Sequence, residues 1–377
     1  MEPPAKLISA DDHVIEHPQV WTVRLSRHRW GDRIPHVERH VDGSDYWLID
    51  GRKVPLLGSG SAAALMPDRI EPRRWEEVPQ AAYQPAERLK LMDAAGIERS
   101  VLYPSVAGVG GETFASIADP ELEIDCVRAY NDWLIEEWAG AGGSRFVPQC
   151  IVPISSVAAA VDEIRRAVAA GHRGVVFPPA VDQLRDMPHI NEPSWDLLWS
   201  TCEELQVPIC FHAGSLPVLE LAAFAQYPSQ IKAALHDISV PACSIGFLSN
   251  LLMSHILERH PRLTVIYGES SLGWVNFVIE TVEHNVRQFG AGKVKFQVPP
   301  RELLKSQCRF VSWYDDANLR AVCNQFGADC VLWAWNFPNA TSEYRDAAKL
   351  TETRFRALGI KARSKVSWAN AASLYRL

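Results

Sequence analysis

The stretch Leu7-Ile8-Ser9-Ala10-Asp11-Asp12-His13-Val14-Ile15-Glu16 decides how the rest of this chain is read. A short apolar run gives way to two carboxylates and an imidazole, where a doubly wound nucleotide-binding sheet usually carries a Gly-rich phosphate loop. Seven more apolar runs follow, at Arg99–Tyr103, Phe146–Ile151, Gly174–Phe177, Pro208–Phe211, Leu263–Tyr267, Arg309–Ser312 and Cys330–Trp333. Segments of helical period such as Pro120–Ala139 and Val157–Ala170 lie between them. Short apolar runs alternating with helical stretches mark repeated βα units around a parallel sheet, and eight such units imply a closed (β/α)8 TIM barrel. Leu7–Ala10 is then the first strand, and the polar residues behind it stand at the carboxyl end, where barrels carry their chemistry.

One region breaks this rhythm. Residues 17–84 are rich in Pro, Arg and aromatics and contain Tyr46-Trp-Leu-Ile-Asp-Gly-Arg-Lys-Val54, an Asp-Gly turn between apolar arms. That pattern predicts a β-hairpin. The region is too poor in alternating segments to build its own core, so residues 1–377 are expected to form one barrel domain with 17–84 as an insertion covering its mouth.

Bulk composition narrows the function classes. A net charge of −7 with a pI near 6.0 offers no basic field for nucleic acid. No stretch approaches the length of apolar sequence that a membrane span needs, and the N-terminus lacks the pattern of a signal peptide, so a soluble, cytoplasmic protein is expected. The eight cysteines form no C-x-x-C pair and sit in apolar runs, which reads as small buried hydrophobes.

The strand ends supply the candidate chemistry. Asp11 and His13, two residues apart on extended backbone, turn to the same side as a chelating pair must. His212 follows an apolar strand and precedes Ala213-Gly214, which leaves room for a ligand beside the imidazole. Glu269 ends the sixth apolar run, and Asn336 follows the eighth, within Trp333-Ala-Trp-Asn-Phe-Pro-Asn339.

Five motifs together carry a resemblance. The strings Asp11-Asp-His-Val-Ile-Glu-His-Pro18, Tyr130-Asn-Asp-Trp-Leu134, Phe211-His-Ala-Gly214, Leu257-Glu-Arg-His-Pro-Arg-Leu263 and Glu269-Ser-Ser-Leu-Gly-Trp274 are similar to the amidohydrolase-2 family, which includes aminocarboxymuconate-semialdehyde decarboxylase-like enzymes. The resemblance runs over nearly the whole chain. It implies an amidohydrolase-like TIM barrel, a divalent metal, and hydrolysis or non-oxidative decarboxylation of carboxylated substrates. In those terms Asp11 and His13 stand at the first-strand ligand pair, His212 at the fifth-strand ligand, and Glu269 at a position where many members carry a catalytic histidine.

Two departures from the family pattern change the expectation. The eighth strand normally supplies an aspartate, and here Asn336 stands in its place, so ordinary metal-hydroxide hydrolysis loses its base. His255, in Met253-Ser-His-Ile-Leu257, occupies a position where similar sequences usually carry glycine. Adding Glu16 and His255 to Asp11, His13, His212 and Glu269 gives three imidazoles and three carboxylates, a set that suits two iron ions. The superfamily has an offshoot of non-heme diiron monooxygenases in diterpenoid biosynthesis that act on an acyl-CoA. The leading expectation is therefore a diiron monooxygenase hydroxylating a bulky apolar carboxylic acid or its CoA thioester. It assigns Glu269, His255 and Asn336 to catalysis, uses Trp313, Trp333, Trp335 and Phe337 as an apolar pocket, and requires an electron donor. The alternative is a mononuclear zinc or manganese hydrolase or decarboxylase that uses Asp11, His13 and His212 with Glu269 as acid/base. A second alternative is a metal-free binding protein. A small-molecule substrate is expected, and a homodimer would be unsurprising for the family.

Overall fold

The computed structural model describes residues 7–68, 71–215, 229–289, 295–312, 314–342 and 344–377. Among them are eleven strands: β1 (Leu7–His13), β2 (His36–Arg39), β3 (Asp45–Ile49), β4 (Arg52–Pro55), β5 (Ile97–Tyr103), β6 (Phe146–Cys150), β7 (Gly174–Val176), β8 (Ile209–His212), β9 (Val265–Gly268), β10 (Cys308–Ser312) and β11 (Val331–Trp333). Eight of them form one sheet in the order β1-β5-β6-β7-β8-β9-β10-β11, every neighbouring pair parallel. Each of the eight apolar runs picked out from the sequence is one of these strands. Parallel neighbours require a crossover on one side of the sheet, which leaves both strand faces buried. All seven residues of β1 and all four of β8 and of β9 are indeed buried.

The crossovers are helices with clear start and stop signals. In Val157–Ala170 the Ser156 hydroxyl accepts from Ala159 N at 3.0 Å. Ala160, Val161, Ile164 and Ala167 then bury one stripe, and the helix ends at Gly171, whose φ is +121°. Pro120–Trp133 starts behind Asp119, which accepts from Glu121 N, and continues as a π-helical segment over Leu134–Ala139.

The sheet closes between β1 and β11 through bonds at the strand ends. Asn336 N donates to Asp11 O at 3.1 Å and His13 N to Phe337 O at 2.7 Å. Asp12 lies in this seam: Oδ1 accepts from Ser9 Oγ at 2.9 Å and Phe337 N at 3.0 Å, while Oδ2 accepts from Ser100 Oγ at 2.5 Å. Burial pushes its carboxyl up to about 7 against the pull of buried Arg88. Arg88 itself donates to His13 O at 2.7 Å, so the backbone of the first strand is gripped just where it delivers its polar side chains.

Within the insertion the Asp50-Gly51 turn joins β3 to β4, with φ of +46° and +78° at the two turn residues, as the hairpin reading expects. The structure adds β2 as a third antiparallel strand. Its residues, His36-Val-Glu-Arg39, are half-buried to exposed and carry too little apolar alternation to announce a strand. Ile15, Leu56, Leu57, Ala62, Val78 and Ala82 form a small core beneath the insertion. Ser59 N donates to Ser105 O and Ala64 N to Pro338 O, so the insertion touches the loops behind β5 and β11 at the carboxyl ends of the strands. None of the eight cysteines forms a disulfide among the described residues, and no helix among them is long and apolar enough to cross a membrane.

Candidate metal centre

At the carboxyl end of the barrel, β1 presents Asp11 and His13 and β8 presents His212. One ligand atom from each lies within 4.8 Å of the others, and all three residues are buried. Asp11 Oδ1 is 3.5 Å from both His13 Nε2 and His212 Nε2, and none of these three atoms has a hydrogen-bond partner. Leaving buried polar atoms unpaired costs about 1–3 kcal/mol each. Nitrogen and oxygen ligands at about 2.0–2.2 Å from a shared ion would lie roughly 3–3.5 Å apart. The convergent, orphaned N/N/O set therefore fits a divalent cation.

The surroundings tune the donors. His13 Nδ1 lies 3.3 Å from Pro104 O, which places the ring proton there and leaves Nε2 its lone pair. Burial pushes the His13 pKa down to about 4, so the ring is neutral at physiological pH. Burial alone would raise the Asp11 carboxyl, but His212, His13 and the Glu269 amide outweigh it and hold it below the usual value. Its Oδ2 accepts from Glu269 N at 2.9 Å, leaving Oδ1 turned to the two imidazoles. His212 receives a long 3.3 Å hydrogen bond from Gly214 N at Nδ1 and meets the His13 ring edge-on at 5.0 Å.

Gly268 makes room for this packing: a Cβ there would stand 3.1 Å from Asp11 Oδ2, 3.1 Å from His212 Cδ2 and 3.2 Å from Cys210 Sγ.

Glu269 completes the cluster. Its Oε2 is 3.6 Å from His212 Nε2, and Oε1 accepts from Asn336 Nδ2 at 3.0 Å and Asn339 Nδ2 at 2.9 Å. The Glu269 side chain is 20% exposed against 0–4% for Asp11, His13 and His212, so it is the member of the cluster that reaches solvent. Glu269 and Asn336 both adopt left-handed backbone, with φ of +45° and +54°, so the chain turns sharply behind β9 and β11 as it delivers these side chains.

The structure thus brings together Asp11, His13, His212 and Glu269, with Asn336 against them, and places the other two members of the six-residue set elsewhere. Glu16 is fully buried, and its carboxylate is taken up by the amides of Ser105, Val106 and Ala107. His255 lies on the connection that re-enters the barrel from the amino ends of the strands. It pairs with Glu258 at 2.5 Å and packs on Phe296 at 4.7 Å. His255 stands in the turn between the helices Ser229–Met253 and Ile256–Arg259, at φ +60°, and its place in that turn, which the sequence does not reveal, decided that outcome.

The aromatic pocket is also redrawn. Trp335 and Phe337 stack at 4.5 Å, and Arg88 lies over the Phe337 ring at 4.3 Å. Trp333 and Trp335 border a small cavity with Ala347, Leu350 and Thr351 of the C-terminal helices. Trp333 and Trp335 thus face the C-terminal helices and Phe337 faces Arg88, so these rings pack the barrel wall. Trp313 lies outside the described residues.

Three contributors had no clear sequence signal. Pro104 offers only a carbonyl, and Asn339 reaches Glu269 only because the chain turns back behind β11. Glu112, whose carboxylate accepts from Gly110 N at 2.7 Å, is raised by burial and lies within electrostatic reach of His212. A Gly-Gly-Glu behind the second apolar run was the sole hint.

Residues 46–377 match the amidohydrolase family profile, which covers most of the sequence. This chain belongs to the amidohydrolase family. Among curated relatives, the amidohydrolase is 26% identical over 313 residues to a gamma-resorcylate decarboxylase of Rhizobium radiobacter, covering 77% of this chain and 86% of that protein. Among solved structures it resembles an amidohydrolase from Mycobacterium avium subsp. paratuberculosis, at a TM-score of 0.78 and 20% identity, over 98% of this chain and 99% of the other. It also resembles a dihydroxybenzoic acid decarboxylase from Polaromonas sp. JS666, solved with bound manganese and the inhibitor 2-nitroresorcinol, at a TM-score of 0.69 and 18% identity, over 99% and 97% of the two chains. At these identities the structural likenesses establish that this amidohydrolase shares their fold.

Proposed function

We propose that this amidohydrolase is a divalent-metal enzyme that removes a carboxyl group from a small aromatic acid without an oxidant. The observation that carries the reading is the trio of orphaned atoms, Asp11 Oδ1, His13 Nε2 and His212 Nε2, with the solvent-reaching Glu269 carboxylate beside it. The relatives named for decarboxylation of hydroxylated benzoic acids, one solved with manganese, support the same class and favour manganese or zinc.

Asp11, His13 and His212 would hold the ion. When bound it supplies a Lewis acid that anchors the oxygens of the substrate. Glu269 is placed to move the proton. In the net reaction the ring carbon gains a proton, its bond to the carboxyl carbon breaks with the electron pair staying on the ring, and carbon dioxide leaves. The chemistry needs a proton donor and no activated water, which suits a site whose eighth-strand residue is an amide. Asn336 cannot take a proton from water, which disfavours hydrolysis. A two-iron oxygenase would need further ligands, and Glu16 and His255 are engaged away from the cluster.

Elemental analysis of protein purified without added metal, followed by anaerobic incubation with 2,6-dihydroxybenzoate and related ortho-hydroxybenzoates, tests this directly. One manganese or zinc per chain with release of carbon dioxide in the absence of oxygen is the expected result. Two irons per chain with oxygen-dependent turnover would overturn it.

A further inference from the structure

Glu16 sits at the mouth of the barrel and every hydrogen bond it receives comes from backbone. Ser105 N reaches Oε1 at 3.2 Å and Oε2 at 3.3 Å, Val106 N reaches Oε2 at 2.7 Å, and Ala107 N reaches Oε1 at 3.1 Å. Three successive amides around one carboxylate form a nest, an arrangement suited to an anion. The first of these amides belongs to the same peptide unit as the Pro104 carbonyl, and in a planar trans peptide the N–H and C=O point in opposite directions. Glu16 therefore grips one side of a peptide plane whose other side accepts from His13 Nδ1 at 3.3 Å. One residue earlier, Tyr103 O accepts from Val14 N at 3.0 Å, so the preceding peptide is tied to the residue next to His13 as well.

We propose that Glu16 is a positioning residue for the metal centre, acting through the Pro104–Ser105 peptide to hold His13 with its proton on Nδ1 and its Nε2 lone pair toward Asp11 and His212. The inference rests on the metal reading above. Metal-bound histidines commonly donate their second nitrogen to a carboxylate or carbonyl. Here the carboxylate is relayed through a peptide group, which it also polarises, strengthening the carbonyl as an acceptor. Arg88 fixes the His13 backbone from the other side, through its carbonyl at 2.7 Å.

The test is a calorimetric titration of apoprotein with Zn2+, paired with the visible spectrum of the Co2+-loaded protein. Glu16→Gln is expected to weaken Zn2+ binding by about 10- to 100-fold and to alter the Co2+ spectrum. The control is Glu123→Gln. Glu123 is an equally buried carboxylate that accepts from Ile154 N at 2.7 Å, on a loop that supplies none of the three converging ligands, and its loss is expected to leave affinity and spectrum unchanged. If Glu16→Gln does not fold, Glu16→Asp keeps the charge but withdraws it by one methylene, and a measurable loss of affinity is expected there. Wild-type affinity in either folded Glu16 variant, or equal losses in the Glu16 and Glu123 variants, would overturn the proposal. Failure of the wild-type protein to bind Zn2+ or Co2+ would instead overturn the metal reading itself.

Discussion

At the residue scale, the cluster depends as much on what is small or neutral as on what is charged. Gly268 gives way to Asp11 and His212, and a Cβ 3.1 Å from both demands that one of them move. Gly268→Ala is therefore expected to lower metal occupancy while leaving the far-ultraviolet circular dichroism of the barrel unchanged, checked by elemental analysis after dialysis. Glu269 is the proton carrier of the proposed reaction, held by two amide donors on one oxygen. Glu269→Gln should reduce kcat for carbon dioxide release by about 10²- to 10⁴-fold. Metal content should stay at one per chain, because the Asp11, His13 and His212 atoms converge without it. Asp11, His13 and His212 are legible in the sequence because each stands directly behind an apolar run. Gly268 and Asn339 are not, since their role is a distance across the barrel. Glu16 and His255 share residue types with the ligands, and only coordinates show that their partners lie elsewhere.

At the scale of elements, buried polar side chains pin helices and strands to one another. His172, in the turn after the helix Val157–Ala170, is buried, and its Nε2 donates to Asn131 O at 3.0 Å on the helix Pro120–Trp133. Burial holds its pKa down near 4, below the ordinary 6.5. The unfolded chain takes up a proton below about 6.5, while the folded protein refuses it until pH 4, so stability is lost as pH falls through that window. The contribution has a slope of at most about 1.4 kcal/mol per pH unit. His172→Gln should flatten the acid limb of a urea-denaturation series between pH 6.5 and 4 relative to wild type, and an unchanged limb would contradict this assignment. The eight barrel strands and the β3–β4 hairpin were readable from apolar runs and the Asp-Gly turn. Strand β2 was not, because a half-exposed edge strand carries little hydrophobic alternation to report itself.

At the scale of the whole molecule, the proposed ligand set is assembled from β1 and β8, so metal binding would belong to the closed barrel and not to the unfolded chain. Binding restricted to the folded state stabilises it by about 2.7 kcal/mol when the free ion is at a hundred times its dissociation constant. A rise in Tm of several degrees is expected on adding Mn2+ or Zn2+, reversed by a chelator, as followed by scanning calorimetry. The sequence by itself determined the number and order of the barrel strands, the site of the insertion, the first-strand Asp-x-His pair and the absence of an eighth-strand carboxylate. These are written in local periodicity and in residue types next to strand ends. Only the tertiary structure decided which acidic and imidazole groups meet. Closing the sheet brings residues 11, 212, 269 and 336 together from more than three hundred positions apart. Bond directions, not composition, then turned Glu16 onto a peptide, His255 onto Glu258 and the aromatics at and behind the end of β11 into the wall.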